Sequence, residues 1–248
     1  HNPHNNHIKT KLKTKPNTNN TNRIETMAKT TLITLTQIKK LEDRYPFNEE
    51  ELEILVRCHE RLKDPDDNND FLMKLALSSP YSYFFLPGDE MRDRVNWIED
   101  HLLPPGFASE FRAAISADPF VEYANQGEDK PLERFLEGVA DTGRRGTREA
   151  LRVLYNLLGD DATSEGLIDL CVRIAVGKEA LLTPNLDKKA FLKRLDDAKP
   201  AIQAISESLE EECYGKPMTM NVFIDWAEDS LPMLSTPLSS FVHSLLFH

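Results

Sequence analysis

From Thr36 onward the apolar residues recur at helical spacing, three or four positions apart, and polar runs separate the recurring blocks. Ile38 and Leu41 share a face before Tyr45-Pro46 breaks the run. Asn48 and Glu51 have the separation of a capping box, in which each side chain bonds the other's backbone amide. Leu52, Leu55, Val56, His59 and Leu62 follow as a core-facing stripe. A polar loop over Asp64–Asp70 leads to a short apolar helix, Phe71–Leu77. Asp89–Leu102 aligns Met91, Val95, Ile98 and Leu102, and Pro104-Pro105-Gly106 stops it. Phe107–Ile115 continues after the break, and Pro131 suits the first turn of a helix to Val139.

The second half repeats the pattern. Thr147–Leu158 buries Leu151, Leu154, Tyr155 and Leu158, and Ser164–Val176 buries Leu167, Ile168, Cys171 and Ile174. Leu186–Leu195 and Pro200–Glu212 read as two helices, since proline interrupts a helical interior. Met220–Asp229 and Leu238–Phe247 follow, and no run alternates like a strand. The prediction is an all-α protein of about ten short helices in paired helix–loop–helix units, 35–141 and 146–231. Residues 236–247 add an amphipathic helix, with Thr236 as cap and Pro237 in its first turn. Leu238, Phe241, Val242, Leu245 and Leu246 line its apolar side. That helix can fold back into a groove of the body or stay available to another domain, and fold-back is the expectation.

Composition narrows the function. The chain has 248 residues, net charge −11 and 40% apolar content, enough for a substantial core. Net acidity argues against a nucleic-acid coat, and no apolar run reaches the ~18 residues of a membrane span. Residues 1–30 stand apart as a basic tail rich in Asn, Thr and Lys, expected to be disordered. Met27 opens a sensible translation start (MAKTT), and the spacing of His1, His4 and His7 reads as a compositional accident. The three cysteines, Cys58, Cys171 and Cys213, are too far apart in sequence for a metal knuckle or disulfide framework. They read as buried thiols of a reducing compartment, with a cytoplasmic location expected.

Helix–polar loop–helix, repeated, is the outline of tandem EF-hands, whose calcium loop needs oxygen ligands at alternate places and a closing bidentate Glu. Asp64, Asp66 and Asn68 fill the first, third and fifth places, and Asp70 follows, but the closing place is Leu75. In the second loop Arg134 stands there, and in the third Leu167 does. The fourth, near Gly215–Val222, has no ligand set. Asp64–Asp70 therefore reads as a solvated capping turn, with a weak calcium site as the alternative. No site tighter than ~100 µM is expected and no cofactor is required.

FLEGV at Phe135–Val139, then GTREALRVLY at Gly146–Tyr155, resembles EF-hand proteins of the calcineurin-B and recoverin type, as does the helix at Glu49–Leu62. The resemblance spans about Leu35–Leu231 in order and spacing. It implies four degenerate hands and a regulatory role. VFIDW at Val222–Trp226, with Leu231-Pro232 and Thr236–Phe247, is similar to the segment joining an EF-hand-like region to a TLDc domain. That likeness implies an association with oxidative-stress resistance or the vacuolar proton ATPase.

The chain has no GxSxG, HExxH, GxxxxGK[ST] or GxGxxG sequence. His59, on an apolar face, reads as a core histidine, and Gly143-Arg144-Arg145-Gly146 as a plain turn. The expected function is thus non-enzymatic: a calcium-independent regulatory or scaffold protein binding a partner helix. Its apolar groove is expected among Leu52, Leu55, Phe71, Phe84, Phe85, Trp97 and Phe111. The cluster Tyr81–Phe85 fits either core packing or the partner site.

Overall fold

The computed structural model describes residues 35–63, 70–78, 88–116, 131–159 and 162–247. The basic tail lies outside them. Among the described residues the chain is helical, with no strand. The α-helices are α1 Leu35–Glu42, α2 Glu49–Lys63, α3 Phe71–Ala76, α4 Gly88–His101, α5 Phe107–Ser116 and α6 Pro131–Asp141. They continue with α7 Thr147–Asn156, α8 Ser164–Leu182, α9 Lys188–Glu212, α10 Met220–Ser230 and α11 Thr236–Phe247. A 3-10 turn, Pro232–Ser235, runs directly into α11.

Local chemistry sets the helix starts. Asn48 N–H donates to Glu51 Oε2 at 3.0 Å and Glu51 N–H donates to Asn48 Oδ1 at 2.9 Å, so the capping box forms as read. Thr163, Asp187 and Thr219 accept from first-turn amides of α8, α9 and α10. Thr236 does not cap α11, because its backbone is already helical (φ −71°, ψ −39°) and carries the preceding turn into the helix.

Two boundaries differ from those the sequence predicts. The two helices expected on either side of Pro200 are one 25-residue helix, α9. Proline removes one backbone donor and costs about 3 kcal/mol in a helix interior. Phe191 and Leu195 before it, and Ile202 and Leu209 after it, are buried, and that burial offsets the loss. Likewise α8 runs past Gly177 to Leu182. A Cβ at Gly177 would lie 3.3 Å from Ile98 Cγ2, so the missing side chain is a notch that admits α4. Gly138 does the same between α5 and α6, where a Cβ would fall 2.1 Å from the Ile115 carbonyl oxygen.

Helix α8 lies at the centre, in contact with α4, α9 and α11. The two expected helical halves are not separated from one another: α4 packs on α8, α5 on α7, and α11 on α2 and α3. Two arginines pin α4 to α8. Arg94, buried, donates to the carbonyls of Leu181 (3.2 Å), Pro184 (3.1 Å) and Thr183, which are left unpaired where α8 ends. Glu90 Oε1, 3.2 Å away, completes its partners. Arg173 of α8 donates to the Leu102 carbonyl at 3.2 Å, just beyond the end of α4.

Candidate functional site: a groove filled by the last helix

The groove residues nominated from sequence fall into three groups. Phe84 and Phe85, with the rest of the Tyr81–Phe85 cluster, lie outside the described residues. Leu52, Leu55, Phe71 and Phe111 are buried, three of them without any exposed surface. Phe71 and Phe111 meet edge to face, with ring centroids 5.8 Å apart. Trp97 is buried but elsewhere: it stacks on His101 at 5.7 Å, and Lys188 Nζ lies 5.6 Å from its ring centre. Among the described residues, those nominated form interior surface.

Helix α11 packs on the helices that carry Leu52, Leu55 and Phe71. It packs against α2, α3, α7 and α8. Its five apolar stripe residues, Leu238, Phe241, Val242, Leu245 and Leu246, are all buried. Phe107 links the two sides, stacked on Phe111 at 5.7 Å and edge-on to Phe241 at 6.3 Å. The Phe241 ring also reaches the Gly177 notch of α8, where a Cβ would lie 3.7 Å from Cε2. Sequence reading did not single out Phe107. Its place at the helix start after Pro104-Pro105-Gly106 was the available signal. Burying each such side chain contributes about 1.5–3 kcal/mol before ordering costs. Helix α11 has no Asp, Glu, Lys or Arg, so nothing in its sequence opposes full enclosure.

The calcium-loop candidates are placed only in part. Asp64, Asp66 and Asn68 lie outside the described residues. Asp70 is exposed at the N-cap of α3, and its side chain bonds no first-turn amide. Leu75 and Leu167, at the closing places, are both fully buried. Among the described residues no three His, Cys, Asp or Glu side chains come together as a metal site.

The buried titratable groups have structural explanations. Burial pushes the Cys58 and Cys171 thiols up to about 12, so neither is a thiolate near neutral pH. Burial also raises Cys213, and Glu210 and Glu212 add to it. His59 is 6% exposed and lies 5.7 Å from the Phe135 ring centre. Its Nδ1 has no hydrogen-bond partner, since the Glu60 carboxylate is 3.7 Å away. Burial holds its pKa below the ordinary value, Lys63 lowers it further, and Glu60 opposes both.

No helix among the described residues is long and apolar enough to cross a membrane. No protein-family model, no curated protein and no solved structure matches the chain.

Proposed function

We propose that the chain is a non-enzymatic regulatory or scaffold module that holds an apolar helix in a groove, with α11 as the resident helix and a partner helix as its competitor. The observation that carries this reading is the enclosure of α11. A helix without Asp, Glu, Lys or Arg has its whole apolar stripe buried and packs on α2, α3, α7 and α8. The reading keeps the degenerate EF-hand resemblance as its frame and makes binding calcium-independent. Leu75 and Leu167 support that independence: both closing places belong to the core.

The test is truncation after Leu234, followed by addition of a labelled peptide of residues 236–247. The truncated chain should keep helical circular dichroism, melt at lower temperature, bind more hydrophobic dye and take up the peptide in one-to-one ratio. Millimolar calcium should leave the peptide affinity unchanged. A truncated chain that melts like the full one and binds no extra dye contradicts the proposal. So does one that unfolds and is not rescued by the peptide. A peptide affinity that depends on calcium contradicts the independence.

A further inference from the structure

We infer that the cleft between the α6–α7 turn, the end of α8 and the polar side of α11 binds a small organic carboxylate with an apolar chain. The cleft encloses about 350 Å³, within the range of small-molecule sites. Its walls include Phe47, Val139, Leu182, Val242 and Phe247, all apolar. Its charged or ionisable lining residues are Arg144, Lys178 and His243, and no Asp or Glu lines it among the described residues. That is a notable bias in a chain with 41 acidic residues and a net charge of −11. A cationic spot in an acidic molecule concentrates anions locally.

The three ionisable positions differ in what they already do. Arg144 is ion-paired with Glu51, which fixes its direction and partly satisfies it. His243 packs its ring on Phe247, centroids 5.1 Å apart. Lys178, half-buried, has no carboxylate partner among the described residues. An ammonium placed over apolar walls with no counter-charge is suited to one carboxylate.

Three of the four hydroxyl side chains in the lining already donate to backbone carbonyls. Thr142 Oγ1 donates to the Val139 carbonyl at 2.6 Å, Ser239 Oγ to that of Thr236 at 3.0 Å, and Ser244 Oγ to that of Ser240 at 2.8 Å. Their hydrogens are committed, which leaves Ser240 as the fourth hydroxyl of the lining. The apolar walls favour a carboxylate on an apolar chain over a bare phosphate. Gly143 closes one side. A Cβ there would lie 2.2 Å from Ser239 Cβ, so only a bare backbone brings the turn this near α11.

The experiment is calorimetric titration of the full chain with decanoate below its micelle concentration, alongside decanol and inorganic phosphate. Decanoate should bind at one saturable site, decanol at least about tenfold more weakly, and phosphate not at all. Lys178→Glu should weaken decanoate about tenfold or more, Lys178→Gln should shift it the same way, and Lys216→Glu, at an exposed position outside the cleft, should leave it unchanged. Equal binding of decanol overturns the carboxylate, and binding of phosphate alone overturns the apolar chain. No binding of any of the three overturns the site. Decanoate affinity untouched by both Lys178 variants overturns its location.

Discussion

Arg94 shows how one side chain can join two helices. Its guanidinium sits where α8 runs out of its own donors and supplies a fork of donors to the carbonyls of Leu181, Thr183 and Pro184. Arg94→Ala should leave those buried and part-buried carbonyls without their donor and cost about 2–4 kcal/mol. That is roughly 2–4 °C of melting temperature for each kcal/mol in a protein of this size. Arg94→Lys should recover less than half, because an ammonium cannot reproduce the fork. Denaturant melts of both variants check this, and a full recovery by lysine contradicts the capping role. Nothing in the sequence marks Arg94, whose carbonyl partners lie 87 to 90 positions away.

His59 is the other residue with a measurable signature. Its folded-state pKa lies below its ordinary value near 6.5, so the folded chain favours the neutral ring. The stability this contributes is complete above the unfolded-state pKa and is lost as pH falls below it toward the depressed folded-state value. The melting temperature should therefore fall more steeply below about pH 6.5 in the wild type than in His59→Leu. Parallel pH profiles of the two proteins would contradict a buried neutral ring. The assignment of His59 to a core face was legible from its stripe; its unpartnered Nδ1 was not, because satisfaction depends on neighbours across the fold.

At the scale of elements, periodicity and caps were readable because they are local. The reciprocal Asn48–Glu51 pair and the α11 stripe are present as the spacing implies. The α8 and α9 boundaries were not, because Gly177 and Pro200 are local breakers overridden by tertiary packing. The glycine notches yield a contrast. Gly138→Ala drives a Cβ into the rigid Ile115 backbone and should cost about 1–3 kcal/mol despite the better helix propensity of alanine. Gly177→Ala meets side chains alone, the Ile98 Cγ2 methyl at 3.3 Å and ordinary contacts with Phe241 and Leu103, and should stay within about 1 kcal/mol of wild type. Equal effects at the two positions, measured by denaturant titration, would contradict the notch assignment.

For the molecule as a whole, helical content was readable and the placement of α11 only partly so. The sequence showed an apolar stripe of five residues but not the elements that would enclose it. Trp97 illustrates the limit: it shares the composition of a groove residue, yet it packs under Lys188 on another side of α4. Phe107, which touches α11, was not nominated. Contact across long sequence separation is what single-chain periodicity lacks.

The central claim is that α11 is a resident helix, held in place but able to leave. Native-state hydrogen exchange on the full chain tests it most directly, by comparing amides of α11 such as Leu245 with those of α8 such as Ile174. If the account holds, α11 opens by a sub-global route. Its amides then exchange at least about tenfold faster than those of α8, at denaturant concentrations too low to unfold the body. Exchange of α11 at the same rate as α8, and only through global unfolding, would make it a fixed core helix and contradict the account.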